Sequence, residues 1–400
     1  MDEVESAMGA VERRDQGDDG RAMTEVTIVA HDIGPVGGME RQLSELVLGL
    51  RALGHELTVI ARTCELPAGA GVRFHRVRGP SRPFLVAYPW FVLAGSLALR
   101  RWRRGVVQST GAIVLGRVDS VAIHCCHQSY TAMPGRPTRA SRLYARAVGV
   151  VKRVSERLCV RANSTATFVC VSDGVAAEMR AHYPHTAARV VTIHNGVDTE
   201  RFAPGLHDER ARELRERLRI APARRVLLFV GGDWEHKGLR WAIEALAEAP
   251  DWDLVVAGRG NPDDYRELSD RRGVAARVHW LGVTRDVHAL YALADAFVLP
   301  SSYETFSLVT FEAAASGLAI LATRVNGVSE LIEDEHNGFL ISADAHAIAA
   351  RLRRLAAEPQ LGERLGRAAR ESALRFSWQA MVARHHELYE RLAGASAPRP

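Results

Sequence analysis

The sequence predicts an α/β protein made of two doubly wound, Rossmann-like domains facing a shared cleft, and three observations predict it. The chain has 400 residues, too many for one ordinary core and suited to two units of about 150 to 200 residues. Short apolar runs alternate with longer stretches of helical period along its whole length, the signature of stacked β-α units on parallel sheets. A glycine turn follows the opening apolar run of each half, Gly34-Pro35-Val36-Gly37-Gly38 in the first and Gly231-Gly232 in the second, and leads into a helical pattern.

The elements follow in order. Residues 1–22 are polar and acidic, without periodicity and without the basic start and apolar run of a signal peptide, and read as a disordered leader. Strands are expected at Val26–Ala30, Leu57–Ala61, Val72–Val77, Val106–Gln108, Val121–Cys125, Phe168–Val171 and Val190–Ile193. Phe84 to Leu99 is almost wholly apolar and is followed by Arg100, Arg101, Arg103 and Arg104. That is shorter than the roughly 20 residues of a membrane span. Two readings stand: a buried helix, or a helix that dips into an anionic leaflet while the arginines meet head groups. Turn formers at His194-Asn195-Gly196-Val197-Asp198, with Phe202, Pro204 and Gly205, place a junction near residue 205, between domains at 23–205 and 206–375. The second half repeats the pattern at Val226–Val230, Leu254–Ala257, Val278–Leu281, Ala296–Leu299 and Ala319–Ala322.

Composition excludes several classes. With 47% apolar and 25% charged residues the chain is neither mostly disordered, nor collagen-like, nor a multi-span membrane protein. Five cysteines, at 64, 125, 126, 159 and 170, are odd in number and scattered, so no disulfide framework is expected and a reducing, cytoplasmic compartment is. Residues 21–200 carry 23 Arg/Lys against 12 Asp/Glu, although the whole chain is only +5. The basic first domain makes an anionic substrate or membrane surface a candidate partner. Arginine supplies 50 of the 52 cationic side chains, which reflects base composition and does not by itself indicate nucleic-acid binding; no nucleic acid is expected as a partner.

Three segments carry the chemistry. At Gly37-Gly38, glycines between strand and helix let backbone N–H groups approach an anion, with the helix N-terminus adding a favourable partial charge; a merely structural turn is the alternative. The pattern is neither G-x-G-x-x-G nor the P-loop, so oxidoreductase and NTPase readings lose their support. Lys237, in Gly231-Gly232-Asp233-Trp234-Glu235-His236-Lys237-Gly238, stands where an ammonium could pair with a phosphate beyond the strand end. A lysine in so arginine-biased a chain points to a compact point charge. The densest signal is Ser301-Ser302-Tyr303-Glu304-Thr305-Phe306-Ser307-Leu308-Val309-Thr310-Phe311-Glu312. Glu304 falls in a loop and Glu312 about two turns into the next helix, at most roughly 12 Å apart. That spacing suits holding two ends of an extended ligand, with the N–H groups of Phe306, Ser307 and Leu308 cradling a diphosphate between them.

These residues resemble the family-four glycosyltransferases, retaining enzymes of the GT-B fold. The resemblance runs from about residue 24 to 395 and rests on Gly37-Gly38, Asn195-Gly196-Val197-Asp198, Lys237-Gly238, Pro300-Ser301 before the Glu304/Glu312 motif, Gly327-Val328-Ser329-Glu330 and Asn337-Gly338. It implies transfer of a sugar from a nucleotide-diphosphate donor, a co-substrate and not a cofactor, to a glycan or lipid-linked acceptor. By the same resemblance Lys237 binds the diphosphate, Glu304 contacts the transferred sugar, Glu312 accepts from the ribose, and Phe306, Ser307 and Leu308 give backbone contacts. The family often places a histidine just after an apolar strand of the first domain. His124 fits that place, with His127 as the alternative. The last helix, 376–395, is expected to cross back to the first domain.

Two residues depart from the family pattern. Gly232 stands where an arginine is common, five residues before Lys237, and Ser307 stands where a glycine is common. Arg259 is the candidate replacement cation. No metal is expected: strand neighbours in His124-Cys125-Cys126-His127 would point to opposite faces, and Asp251-Trp252-Asp253 precedes its strand at the end away from the cleft. A nucleotide-sugar 2-epimerase or sugar-phosphate synthase of the same fold, and a catalytically silent nucleotide-sugar binder, are the alternatives.

Overall fold

In the computed structural model, which describes residues 24–130, 139–284 and 286–396, the short apolar runs become parallel strands covered by helices, as buried parallel sheets require. The leader at 1–22 lies outside the described residues. The first half contains β1 (Glu25–Val29), β2 (Asp32–Ile33), α1 (Gly38–Ala52), β3 (Glu56–Ala61), β4 (Thr63–Cys64), β5 (Arg73–Arg76) and α2 (Phe84–Trp102). It continues with β6 (Val106–Thr110), β7 (Ser120–Ile123), α3 (Arg139–Ala162), β8 (Thr167–Cys170), α4 (Asp173–His182) and β9 (Val190–Thr192). Its sheet has the order β5-β3-β1-β6-β7-β8-β9, and β2 pairs with β4 beyond the ends of β1 and β3.

The second half runs through α5 (Asp208–Arg217), β10 (Arg225–Val230), α6 (Leu239–Ala245), β11 (Trp252–Ala257), α7 (Asp263–Arg271), β12 (Val278–Gly282), α8 (Val287–Leu293) and β13 (Ala296–Leu299). After these come α9 (Leu308–Ala315), β14 (Ala319–Thr323), α10 (Val328–Leu331), β15 (Phe339–Ile341), α11 (Ala345–Ala357), α12 (Pro359–Ala373) and α13 (Trp378–Ser396). The sheet order is β12-β11-β10-β13-β14-β15. In each sheet the strand order reverses beside its first main strand, between β1 and β6 and between β10 and β13. Such switch points open a crevice at the carboxyl ends of the strands, where ligands of doubly wound sheets bind. Both glycine turns leave from these points.

Helix α13 carries the end of the chain onto the first half. Met381, Leu388 and Tyr389 are buried in one apolar cluster with Leu43, Leu46 and Val47 of α1. Gly49 makes that approach possible, because a Cβ there would lie 2.5 Å from Val382 Cγ2. The Tyr389 hydroxyl donates to Gln108 Oε1 at 2.8 Å, tying the helix to β6.

Three details differ from the sequence reading. Strands β2, β4 and β15 are only two or three residues long, too short to show a period. The Asp251-Trp252-Asp253 segment does not precede its strand: β11 begins at Trp252. Asp253 still sits at the amino end of β11, where it pairs with Arg224 and His279, each at 2.8 Å. Finally, α2 is not fully buried. Ala87, Tyr88, Phe91, Val92 and Leu99 face the core, while Val86, Trp90, Leu93 and Leu97 are half or more exposed. Among the described residues no helix is long and apolar enough to cross a membrane.

Candidate active site

The site is built on two turns of the second half. After β10 the chain passes through Gly231 to Gly238, which adopts φ 75°, and a Cβ on Gly238 would lie 2.3 Å from the Pro300 carbonyl oxygen. Only glycine lets this turn press against the end of β13. That contact brings the neighbouring Lys237 to the loop after β13, where its Nζ donates to Glu304 Oε1 at 2.7 Å. Ser301 Oγ donates to the same carboxylate oxygen at 3.0 Å. Both members of the ion pair are mostly buried, so the pair is far less screened than a surface one.

The Glu304 loop then enters α9. Ser307 adopts a left-handed φ of 69°, the conformation that the glycine common at this position takes without strain. Its hydroxyl is used locally, 2.8 Å from Thr310 Oγ1. Phe306 is buried and stacks on Phe311 with centroids 4.0 Å apart, so only its backbone is left for a ligand. The helix starts at Leu308 with Ser307 as its N-cap, and the first N–H groups of a helix have no partner within it. Because the helix starts only at Leu308, Glu312 lies about one turn into it and not the expected two; it is buried and accepts from the Tyr291 hydroxyl at 2.8 Å.

The first half closes over this surface. Arg41 of α1 forms an ion pair with Glu312, across 271 positions of sequence. Gly38 meets Leu308, whose Cδ1 would be 3.5 Å from a Cβ at residue 38. At Gly37 the carboxylate of Glu40 folds over the α-carbon, so the turn is not an open anion cradle. Against the cost of burial, Glu312 holds the Arg41 guanidinium above its ordinary value. Burial, then Glu312, raises the Tyr291 hydroxyl well above 10, so it stays a donor.

His124 directly follows β7. Its Nε2 is buried without a partner, and burial, with His385 of α13 as the smaller cause, lowers the ring to about 4. No described contact joins it to Lys237 or Glu304. The segment beyond does reach the second half: Cys125 Sγ lies 3.9 Å from the Tyr303 hydroxyl, and the rings of Tyr130 and Tyr303 are 5.5 Å apart. β7 ends at Ile123, so strand alternation does not govern residues 124–127; Cys125 faces Tyr303, and Cys126 and the His127 N–H face Glu156. Burial pushes the Cys125 thiol up to about 12, which leaves it protonated. Arg259 stands beside the position of the missing cation, its carbonyl oxygen 3.5 Å from where a Gly232 Cβ would be.

Several partners escaped the sequence reading. Glu330 of α10 accepts from His194 Nε2 at 2.6 Å and from the Asp173 and Gly174 N–H groups at 2.9 and 3.3 Å, closing the amino end of α4 from the other domain. Despite burial, these hydrogen bonds hold it below the usual carboxylate range. Asn326 and Tyr303 both donate to Glu178. Glu330 stood in a matched motif and Arg41 lies three residues after Gly38, but Tyr291 sits in a helix with no local mark.

Four histidines share one electrostatic feature. His31, His124, His127 and His385 are each lowered to about 4, first by burial. The unfolded chain binds these protons near pH 6.5 and the native chain only near 4. Their stabilisation is therefore complete above about pH 6.5 and is lost as the pH falls towards 4, by up to about 1.4 kcal/mol per pH unit for each. Urea unfolding at pH 7.0, 6.0 and 5.0 is expected to show midpoints that fall steeply with acid, and a flat profile would contradict these directions.

Comparison with known proteins gives a consistent result. Residues 36–201 match the family model described as Glycosyltransferase Family 4, and residues 210–372 the one described as Glycosyl transferases group 1. The D-inositol 3-phosphate glycosyltransferase 2 of Catenulispora acidiphila is 31% identical over 314 residues, covering 74% of this chain and 67% of the relative. The D-inositol 3-phosphate glycosyltransferase of Corynebacterium glutamicum is 31% identical over 226 residues, 53% of this chain and only 54% of the relative. Among solved structures, WaaG, a glycosyltransferase involved in lipopolysaccharide biosynthesis, superposes with a TM-score of 0.75 at 22% identity, covering 91% of this chain and 99% of that one.

Proposed function

The chain belongs to the group 1, family 4 glycosyltransferases, and from that premise we propose that it moves a sugar from a nucleotide-diphosphate donor to an acceptor hydroxyl, with retention of configuration and without a metal ion. The observation that carries the reading is the Lys237–Glu304 pair at the carboxyl edge of the second sheet, opposite Gly38 and Arg41 of the first half.

In this reading Lys237 holds the diphosphate together with the N–H groups of Phe306, Ser307 and Leu308. Arg259, beside Gly232, adds the cation that the turn lacks. Glu304 accepts from sugar hydroxyls, Glu312 accepts from the ribose, and Gly37 and Gly38 let the backbone of the first half come close to the phosphates once Glu40 swings aside. The neutral ring of His124 offers its unpartnered nitrogen to the sugar from the other side. The bond between C1 and the diphosphate oxygen breaks through an oxocarbenium-like state, and the acceptor oxygen bonds C1 on the same face. Its proton passes to the departing diphosphate. Fixed donors aimed at that oxygen stabilise the developing charge without reorganisation.

A calorimetric screen of UDP-, GDP-, ADP- and CMP-sugars tests this. One nucleotide series is expected to bind, equally with and without EDTA, and to lose affinity in Glu312→Ala. Failure of every series on folded protein removes the reading. Release of an epimerised sugar nucleotide without acceptor would favour the epimerase.

A lipid-linked or glycan acceptor at the cytoplasmic face of a membrane is part of the proposal. The described cysteines are all free. Exposed large apolar side chains gather on α2 and α3, where Val86, Trp90, Leu93 and Leu97 are joined by Leu143, Val150, Val154 and Leu158. Arginines at 100, 101, 103, 104, 153 and 157 stand among or beyond them. Apolar insertion plus attraction to anionic lipid is how such surfaces bind. Vesicles with phosphatidylglycerol are expected to retain the protein at low salt and release it after charge reversal at Arg100, Arg101, Arg103 and Arg104; indifference to the vesicles rules out the membrane contact.

A further inference from the structure

At the amino ends of β1 and β3, the end of the first sheet away from the crevice, a group of metal-ligating side chains joins the first half to α13. His55 stands directly before β3, and His386 and Glu390 stand about one turn apart on α13. Among the described residues two groups of three such side chains hold their ligand atoms within 4.8 Å of one another, and this is one of them. The other, Asp173, His194 and Glu330, is a closed hydrogen-bonded clamp. Glu330 there already accepts from His194 Nε2 and from the N–H groups of Asp173, Gly174 and Gly327, while the Asp173 side chain is exposed.

The group at His55 is oriented from outside. His55 is buried, and its Nδ1 lies 3.2 Å from the Thr24 carbonyl oxygen. A carbonyl only accepts, so in the neutral ring Nδ1 carries the proton and Nε2 keeps its lone pair. That lone pair faces His386 Nδ1 at 2.8 Å. Metal-bound histidines share this arrangement, in which the second nitrogen donates to a carbonyl and so fixes tautomer and ring direction. Thr24 also holds the third ligand, because its hydroxyl donates to Glu390 Oε1 at 2.6 Å. One residue thus positions two of the three ligands.

The donor set selects the ion. Two imidazole nitrogens and one carboxylate oxygen suit Zn²⁺, which binds such groups at about 2.0–2.2 Å and takes water where a fourth position stays open. His386 and Glu390 are only partly buried, so water can reach that position. Tetrahedral bonds of this length set two nitrogens about 3.3 Å apart, so the rings need to part by about 0.5 Å from their hydrogen-bonded distance of 2.8 Å. On binding, His386 gives up the proton on Nδ1 and takes one on Nε2 from solvent, so both rings stay neutral. The single carboxylate leaves the complex at +1. A plain hydrogen bond between the two rings is the alternative that the test must separate.

We propose that His55, His386 and Glu390 form a structural Zn²⁺ site that fastens α13 to the first half. The site lies at the opposite end of the sheet from the donor residues, so it goes beyond the transfer reaction and leaves that reaction independent of metal. The test uses the untagged full chain, stripped with EDTA, freed of the chelator by gel filtration and titrated with zinc chloride by calorimetry, with thermal unfolding of the same samples. One equivalent of Zn²⁺ is expected to bind and to raise the melting temperature, since the three ligands meet only in the folded chain. His386→Ala and the isosteric Glu390→Gln, both at partly exposed positions of α13, are each expected to weaken zinc binding at least tenfold and to remove the rise. Asp173→Asn, in the other group, is expected to change neither. Absence of zinc binding to the natural chain leaves the plain hydrogen bond and overturns the site. Zinc binding indifferent to either α13 substitution, or lost in Asp173→Asn, places the ion elsewhere and overturns it as well. Nucleotide affinity is read separately, so failure of the zinc site and failure of the transferase reading are distinguishable.

Discussion

Replacing Lys237 by alanine is expected to lower kcat/KM for sugar transfer by about 10²–10³-fold, the loss seen when one fixed donor to a developing oxyanion is removed. The geometry makes this residue irreplaceable from nearby. Its neighbour at 232 is glycine, and the side chain reaches Glu304 at 2.7 Å from a turn locked by Gly238. Loss of the ammonium also leaves Glu304 with Ser301 alone, a mostly buried carboxylate without its cation. Breaking such a pair destabilises proteins by roughly 3–5 kcal/mol. Lys237→Arg is expected to keep the fold but not the rate, because a planar guanidinium cannot replace a point charge in this packed turn. Steady-state kinetics with urea unfolding separates the two effects. Unchanged kcat/KM in a folded Lys237→Ala protein would remove this lysine from the donor site.

Breaking the pair between Arg41 and Glu312 is expected to have the second largest effect. Arg41→Ala leaves the buried Glu312 carboxylate with only the Tyr291 hydroxyl and removes an ion pair that joins the two halves. A stability loss of about 3–5 kcal/mol is expected from the stranded charge. Glu312→Gln is milder for the fold but is expected to weaken nucleotide binding by about 10- to 150-fold, the worth of one charge-assisted hydrogen bond. Arg41→Ala combined with Glu312→Gln should cost less stability than the sum of the two, since neither partner is then left charged and alone. Simple additivity of the urea midpoints would show that the two side chains do not depend on each other.

Much of the fold was readable because the determining interactions are local. Apolar runs such as Val226–Val230 and Ala296–Leu299 are buried on both faces, and glycine turns mark where each run stops. Strands β2, β4 and β15 were missed because two or three residues carry no period. The candidate site was readable where one segment held the signal, as between Glu304 and Glu312, or where an unexpected residue type stood out, as at Lys237. The resemblance then linked these segments into one site.

By itself the sequence determined the longer strands and helices, that the chain makes two parallel-sheet halves, and which loops hold the candidate charges. These follow from spacing along the backbone, which sets what each face of an element presents. Only the tertiary structure decided that Lys237 and Glu304 neutralise each other, that Arg41 crosses 271 positions to reach Glu312, and that α2 buries one face while showing the other. Pairing of charges and exposure of a face depend on which surfaces meet when the two halves close, and no local pattern encodes that meeting.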